Sequence, residues 1–345
     1  MSDSSPVYGA VLCAGYGTRM APITDILPKP LIPFLNTPTI TYSINHLARA
    51  GVTRVCCNLH HLADSIPPVV DRLGAAMGVE MVYAREWEIL GTAGGVAGIW
   101  QALGSPEEGT LICINGDAIM DIDLEEHLAN HRSSGNEVTL VLREKSPGQP
   151  GAVWVDRDQN NALMGLRDHR RPGYKADKIT EYEYTGVQIL EANAIKRLDL
   201  ENGDIITELH GPLIEEDGKI GGSVLDGYWA ALDNPNLMLE NTRRILEEPD
   251  VFPQAPLPEP MAEGLFVYRP GAVSDSVKMK GPVFVGMNAT IAEGCRIGPN
   301  VVLDGVELEP GTVVSNAILY GMGRVEGEWV DCVAIAGKVA AKKDP

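Results

Sequence analysis

Apolar and polar positions follow two different rhythms along this chain. Between residues 7 and 145, short apolar runs alternate with amphipathic stretches. Residues 7–13 predict a strand that ends in a Gly-rich turn. Residues 39–50 have helical spacing, with Ile40, Ile44 and Leu47 on one face. Strand-like runs at 52–59, 79–83, 110–114 and 138–143 alternate with helical stretches at 66–73, 92–103 and 124–131. This alternation predicts an α/β fold, a mostly parallel sheet with helices on both faces. Ligands of such sheets sit at the carboxyl ends of the strands. From 147 to 246 the pattern is less regular, with strands near 152–155 and 184–190 and a helix over 236–248. We read it as the second half of the same domain.

The rhythm changes after a stretch with five prolines at residues 249–260. Proline-dense polar segments stay extended and mark linkers. Beyond it, Val273, Met279, Val285, Ile291, Ile297 and Leu303 lie six residues apart, and Leu308 and Val314 continue the series after one shortened step. Neither a helix nor an ordinary strand has that period. It predicts a left-handed parallel β-helix whose short faces each point one aliphatic side chain inward. The expected organisation is therefore a domain over 1–248, a linker over 249–262 and a β-helix over 263–345.

Composition narrows the chemistry. The 345 residues are 44% hydrophobic, ample for more than one core, and the formal net charge is −19. So negative a surface repels nucleic acid and anionic lipid, yet a small anionic substrate is allowed where a few cations are focused in one cleft. The six cysteines form no CxxC pair, and four lie in strand-like runs, so buried thiols in a reducing cytoplasm are expected rather than zinc or disulfides. No apolar run approaches the roughly 20 residues needed to span a bilayer, and the N-terminus lacks the pattern of a signal peptide.

Isolated cations follow a Gly-rich turn in residues 12–31. The segment reads Leu-Cys-Ala-Gly-Tyr-Gly-Thr-Arg-Met and, eight residues further on, Pro-Lys-Pro-Leu. Small residues after a strand let backbone N–H groups close on a polyphosphate. Arg19 offers a planar fork to phosphate oxygens. Lys29 is a compact charge whose backbone is fixed by Pro28 and Pro30. A Walker loop is excluded because Gly-x4-Gly-Lys-Ser/Thr is absent, and a dinucleotide fingerprint because its third glycine would be Met20.

Gly15, Gly17, Thr18, Arg19, Pro22, Thr24, Pro28, Lys29, Pro30 and Leu31 match the signature of the sugar-1-phosphate nucleotidyltransferases. The resemblance continues through Leu90-Gly91-Thr92-Ala93-Gly94-Gly95, Asn115-Gly116-Asp117, Gly227-Tyr228-Trp229 and the hexapeptide tail. Within that family the chain looks most like mannose-1-phosphate guanylyltransferases, which share the Gly-Thr-Ala-Gly segment, a later Asp-x-Asp (Asp121, Asp123) and a C-terminal β-helix.

The resemblance implies a Rossmann-like catalytic domain and a set of roles. Leu12, Ala14 and Gly15 would line the nucleobase and ribose, and Gly91 and Thr92 would complete the base pocket. Gly17, Thr18 and Arg19 would hold the triphosphate, and Lys29 the phosphates that react. Asp117 would bind Mg²⁺. Gly151, Thr185 and Gly186 would face the sugar. In this family a second metal-binding aspartate usually stands two residues after the Trp of Gly-Tyr-Trp. That position is Ala231 here, leaving Asp233 and Asp226 as substitutes. The implied substrates are a nucleoside triphosphate, GTP favoured, and a sugar 1-phosphate, mannose 1-phosphate favoured. A UTP-dependent enzyme or an impaired regulatory paralogue are the alternatives. None of the seven histidines lies in the hexapeptide region, so a histidine-dependent acyltransferase site there is not expected. The tail reads as an assembly element that makes homo-oligomers.

Overall fold

The structure, a computed structural model, describes residues 5–145, 152–157, 161–175 and 179–341. The chain forms two compact units. One comprises Met1–Gly15, Ile40–Gly116 and Ile122–Gly227; the other comprises Tyr16–Thr39, Asp117–Asp121 and Tyr228–Pro345. The units thus do not follow a single cut at the proline-dense stretch.

The first unit is built on a ten-stranded sheet. Its elements are β1 (Val7–Leu12), α1 (Thr39–Arg49), β2 (Arg54–Leu59), α2 (Pro67–Met77), β3 (Glu80–Arg85), α3 (Gly91–Ala102), β4 (Thr110–Asn115), α4 (Leu124–Ser134), β5 (Val138–Glu144), β6 (Val153–Asp156), β7 (Ala162–Leu166), β8 (His169–Arg170), β9 (Thr180–Glu191) and β10 (Ile220–Val224). The strand order is β8-β7-β10-β5-β9-β4-β1-β2-β3, with β6 bridging β7 and β9. β1 runs parallel to β2 and β4, β2 to β3, and β5 to β10. The expectation of a mostly parallel sheet holds for that first group only. β9 is antiparallel to β4, β5 and β6, and β7 is antiparallel to β6, β8 and β10. The sheet is therefore mixed. The cause is that β6 to β9 follow β5 as antiparallel strands without the crossover helices that parallel pairing requires, and only β10, which follows the helical residues 206–215, returns parallel to β5.

Helices cover both faces because successive side chains of a strand point to opposite sides. Ala10 packs in one cluster with Val96, Ile99 and Trp100 of α3. Its neighbour Gly9 faces α1, where an added Cβ would lie 3.0 Å from Leu47 Cδ1. Burying each large apolar side chain of α3 contributes about 1.5–3 kcal/mol, so packing, not the glycine-rich sequence of this helix, holds it in place. The register puts Leu12 level with Asn58 on one side and Asn115 on the other, at the carboxyl ends of three parallel strands.

The second unit contains a short ladder, α5 (Pro235–Glu247) and a coil of parallel strands. In the ladder, Ala118–Met120 runs antiparallel to Trp229–Ala231. The hexad residues of the coil fall into three columns. Val267, Val285, Leu303, Leu319 and Ala334 are successive parallel partners. So are Val273, Ile291, Leu308 and Val325, and Met279, Ile297, Val314 and Trp329. One turn of the coil therefore holds three hexads, and most of these side chains share one apolar core. The proline-dense stretch is anchored to this unit instead of running free. Phe252 is fully buried and its ring centroid lies 5.9 Å from that of Tyr228, while Tyr268 donates a hydrogen bond to the Pro256 carbonyl. Among the described residues no helix is long and apolar enough to cross a membrane, and all six cysteines are buried and unbridged.

Candidate active site

The loop after β1 changes units between Gly15 and Tyr16, so its two halves are described in turn. In the second unit Gly17 has φ 63°, the left-handed region that favours glycine, and starts the single turn Thr18–Met20. An added Cβ would lie 2.9 Å from the Thr24 methyl and 3.0 Å from Lys29 Cβ. This close approach folds the Gly-rich turn onto the Pro-Lys-Pro segment, where Lys29 opens the turn Lys29–Leu31.

Lys29 is only 8% exposed, and its ammonium meets two carboxylates. Nζ lies 2.8 Å from Asp117 Oδ2 and 2.5 Å from Asp233 Oδ1. Arg19 completes the group with NH1 3.0 Å from Asp233 Oδ2, while two thirds of its side chain remains exposed. Two cations and two anions make a neutral quartet. That balance suits a polyphosphate arriving with a divalent cation, which adds charges of both signs. The Arg19 contact is largely solvated and contributes about 0–1 kcal/mol, so the guanidinium is free to turn to phosphate at little cost.

The short ladder explains how Asp233 arrives. Ala231 pairs with Ala118, and the next bond of the ladder runs from the Leu232 N–H to the Asp117 carbonyl at 3.0 Å. Asp233 lies two residues past Ala231. In an extended strand that step keeps the same face and advances one pleat, about 6.6 Å. Asp233 thus stands one pleat beyond Ala231, and its carboxylate shares the Lys29 ammonium with that of Asp117. Asp226 belongs to the other unit. Neither residue of the Asp-x-Asp motif joins this group: Asp121 accepts from the Gln254 amide, and Asp123 caps α4 through the N–H groups of Glu125 and Glu126.

The residues fit a divalent ion. Among the described residues no set of three or more His, Cys, Asp or Glu is arranged around a common point. Mg²⁺, however, prefers one or two carboxylates and takes its other ligands from phosphates and water. Asp117 and Asp233, already converging on one cationic nitrogen, make such a pair.

In the first unit, the loop and the start of α3 carry the residues expected at the nucleobase. Ala14 is buried and Gly15 exposed. The Leu12 carbonyl accepts from the Gly116 N–H at 3.1 Å. Gly91 and Thr92 begin α3 and are tied to residues 203–205: Ala93 N–H donates to the Gly203 carbonyl, and the Thr92 hydroxyl accepts from the Ile205 N–H. Two buried polar residues absent from the sequence expectations, Asn58 and Glu86, lie between these segments. A polar Asn inside the apolar run of β2 is the signal that would have found the first of them.

Of the residues expected at the sugar, Gly151 lies outside the described residues. Thr185 is buried, and its hydroxyl donates to the Val141 carbonyl and accepts from the Val187 N–H. Its side chain is thus engaged internally, and Gly186 beside it is buried as well. Gly186 has φ 85°, and a Cβ there would lie 2.7 Å from Asn115 Nδ2, so glycine is what lets the Asn115 side chain pack at the end of β4. The basic stretch after β7 is held by local partners: Arg170 stacks 4.1 Å over Trp154, and His169 and Arg171 pair with Glu215 and Asp217.

Residues 8–161 match the family model described as nucleotidyl transferase. The chain is 30% identical over 315 residues to a mannose-1-phosphate guanylyltransferase of Mycobacterium tuberculosis, covering 89% of this chain and 83% of that protein. It belongs to the sugar-1-phosphate nucleotidyltransferases. It is accordingly an enzyme of the nucleotidyltransferase class, with a nucleoside triphosphate and a sugar 1-phosphate as substrates. It is also 26% identical to a UTP–glucose-1-phosphate uridylyltransferase of Synechocystis, covering 91% of this chain and 83% of that one. Among solved structures, HddC from Yersinia pseudotuberculosis complexed with GMP-PN shares the fold, with a TM-score of 0.54 and 21% identity over 68% of this chain and 96% of the other.

Proposed function

We propose that this nucleotidyltransferase uses GTP and mannose 1-phosphate, with Mg²⁺, to make the guanylyl sugar and pyrophosphate. The observation that carries the reading is the convergence of Asp117 and Asp233 on the ammonium of Lys29. The preference for GTP and mannose rests on likeness to guanylyltransferases such as the mycobacterial protein.

An oxygen of the sugar phosphate attacks the α-phosphorus of the triphosphate, and the bond to pyrophosphate breaks. Several negative charges approach one another, so catalysis is mostly positioning and charge neutralisation. Gly17 and Thr18 offer backbone N–H groups to the phosphates. Arg19 turns from Asp233 to phosphate oxygens, and Lys29 neutralises charge on the phosphates that react. Asp117 and Asp233 would hold the Mg²⁺, which when bound neutralises and orients phosphate oxygens. Leu12, Ala14, Gly15, Gly91 and Thr92 line the base and ribose. Gly151, Thr185 and Gly186 take the sugar side.

In this reading residues 1–248 carry the chemistry. Residues 263–345 form a left-handed β-helix that joins copies of the chain, and 249–262 connect them. Six buried thiols accord with a reducing, cytoplasmic setting. Incubation with Mg²⁺, GTP and mannose 1-phosphate should release pyrophosphate faster than any other pairing in a panel of triphosphates and sugar phosphates. No turnover with any pair would leave only the regulatory reading that Ala231 first suggests. Faster turnover with UTP would favour the second reading, a uridylyltransferase like the Synechocystis relative, since base choice depends on a few hydrogen bonds.

A further inference from the structure

Two buried side chains link the segments assigned to the nucleobase. Asn58, at 3% exposure, ends the apolar run of β2, and Glu86, at 5%, follows β3. The Cys13 N–H donates to Asn58 Oδ1 at 2.7 Å, Asn58 Nδ2 donates to Glu86 Oε1 at 2.7 Å, and the Leu90 N–H donates to Glu86 Oε2 at 2.9 Å. The orientation of the amide is fixed, because one end meets a donor and the other a carboxylate. The chain of bonds begins between Leu12 and Ala14 and ends at the residue before Gly91.

We propose that Asn58 and Glu86 are positioning residues that set the spacing of the two backbone walls holding the base, and so govern affinity for the triphosphate. The inference rests on the nucleotide-binding reading above. Three features support it. A hydrogen-bonded pair that includes a buried carboxylate is strong and geometrically exacting. Both ends of the relay are loop N–H groups beside the residues assigned to the base. The helix that carries Thr92 also makes room for the pair: a Cβ on Gly95 would lie 2.9 Å from Asn58 Nδ2 and 3.3 Å from Glu86 Oε1.

An exchange of acid and amide tests this. Asn58→Asp sets a second carboxylate against Glu86 and loses the middle bond. Glu86→Gln keeps the size but presents an N–H₂ to one of two donors. The double variant Asn58→Asp/Glu86→Gln can restore all three bonds, with the middle one donated in the opposite direction, at the same net charge. Each single variant should raise KM and Kd for the triphosphate about tenfold, with kcat and the KM for sugar phosphate within about twofold. The double variant should return to within about threefold of the unaltered protein. The inference is overturned by a folded single variant with unchanged triphosphate KM, by a loss confined to kcat, or by a double variant no better than the worse single. If a single variant does not fold, the other single variant and the double still decide. No triphosphate binding by the unaltered chain overturns the functional reading itself; intact binding with unmoved variants overturns the relay alone.

Discussion

Asp117 and Asp233, 116 positions apart in the chain, place carboxylate oxygens 2.8 Å and 2.5 Å from the same nitrogen of Lys29. In the proposed function Asp233 is the second acid, in place of the alanine at 231. That assignment makes the acid's role testable. Asp233→Asn should lower pyrophosphate release about 100-fold or more, whereas Asp226→Asn should change it less than threefold. Ala231→Asp should bring no gain. A large gain from Ala231→Asp would mean that Asp233 does not serve as the second carboxylate.

Lys29 screens the two acids from each other. Lys29→Met should nearly abolish turnover and should also destabilise the protein, because two carboxylates would face each other with only the largely exposed Arg19 beside Asp233. Added Mg²⁺ or Mn²⁺ should then raise the melting temperature of Lys29→Met more than that of the unaltered protein, since a bound ion stabilises the fold by mass action. Equal shifts in thermal melts of the two proteins would count against these acids as the metal site.

Arg19 should behave differently. Its side chain is largely exposed, so Arg19→Lys should leave stability within about 0.5 kcal/mol. A lysine cannot reproduce the planar fork, and steady-state kinetics should show a rise in KM for the triphosphate of about tenfold or more. Unchanged kinetics would place the guanidinium outside the triphosphate site.

His210 gives a pH dependence unrelated to catalysis. It is fully buried, with Nε2 2.9 Å from Gln188 Oε1, and burial pushes its pKa from 6.5 down to about 3. The unfolded chain therefore binds a proton between pH 6.5 and 3 that the folded chain refuses. The stability from keeping this ring neutral is complete above pH 6.5. It is lost as the pH falls toward 3, at up to about 1.4 kcal/mol per pH unit. Urea unfolding at pH 7.5 and 5 should show a steeper loss for the unaltered protein than for His210→Gln. Parallel losses would assign the acid sensitivity elsewhere.

Much of this architecture was legible in the sequence because it depends on local period. The strands and helices of the first 145 residues lie within a few positions of those read from apolar spacing, since one buried face imposes a period on the residues that form it. The six-residue series was likewise readable, and the structure sorts it into three columns of side chains. Of the antiparallel strands after Glu144, β6 and β9 were read as elements and β7 and β8 were not; no strand's direction was read, because an isolated strand carries no sign of its partner. The proline-dense stretch read as a linker because its prolines dominate the pattern, whereas the burial of Phe252 involves Tyr228, at a distance in sequence.

The sequence by itself determined the loop motif. Gly17, Arg19 and Lys29 stand at a spacing that serves a polyphosphate, and a motif within twenty residues needs no tertiary contact to be read. It also determined that Ala231 cannot hold a metal. Only the tertiary structure brings Asp233 to Asp117 at the Lys29 ammonium, because that meeting depends on which strand end lies beside Asp117. The ladder from Ala118 to Ala231 fixes it by antiparallel register. The same holds for Asn58 and Glu86: each looks like an ordinary polar residue until burial removes water and leaves each as the other's hydrogen-bond partner.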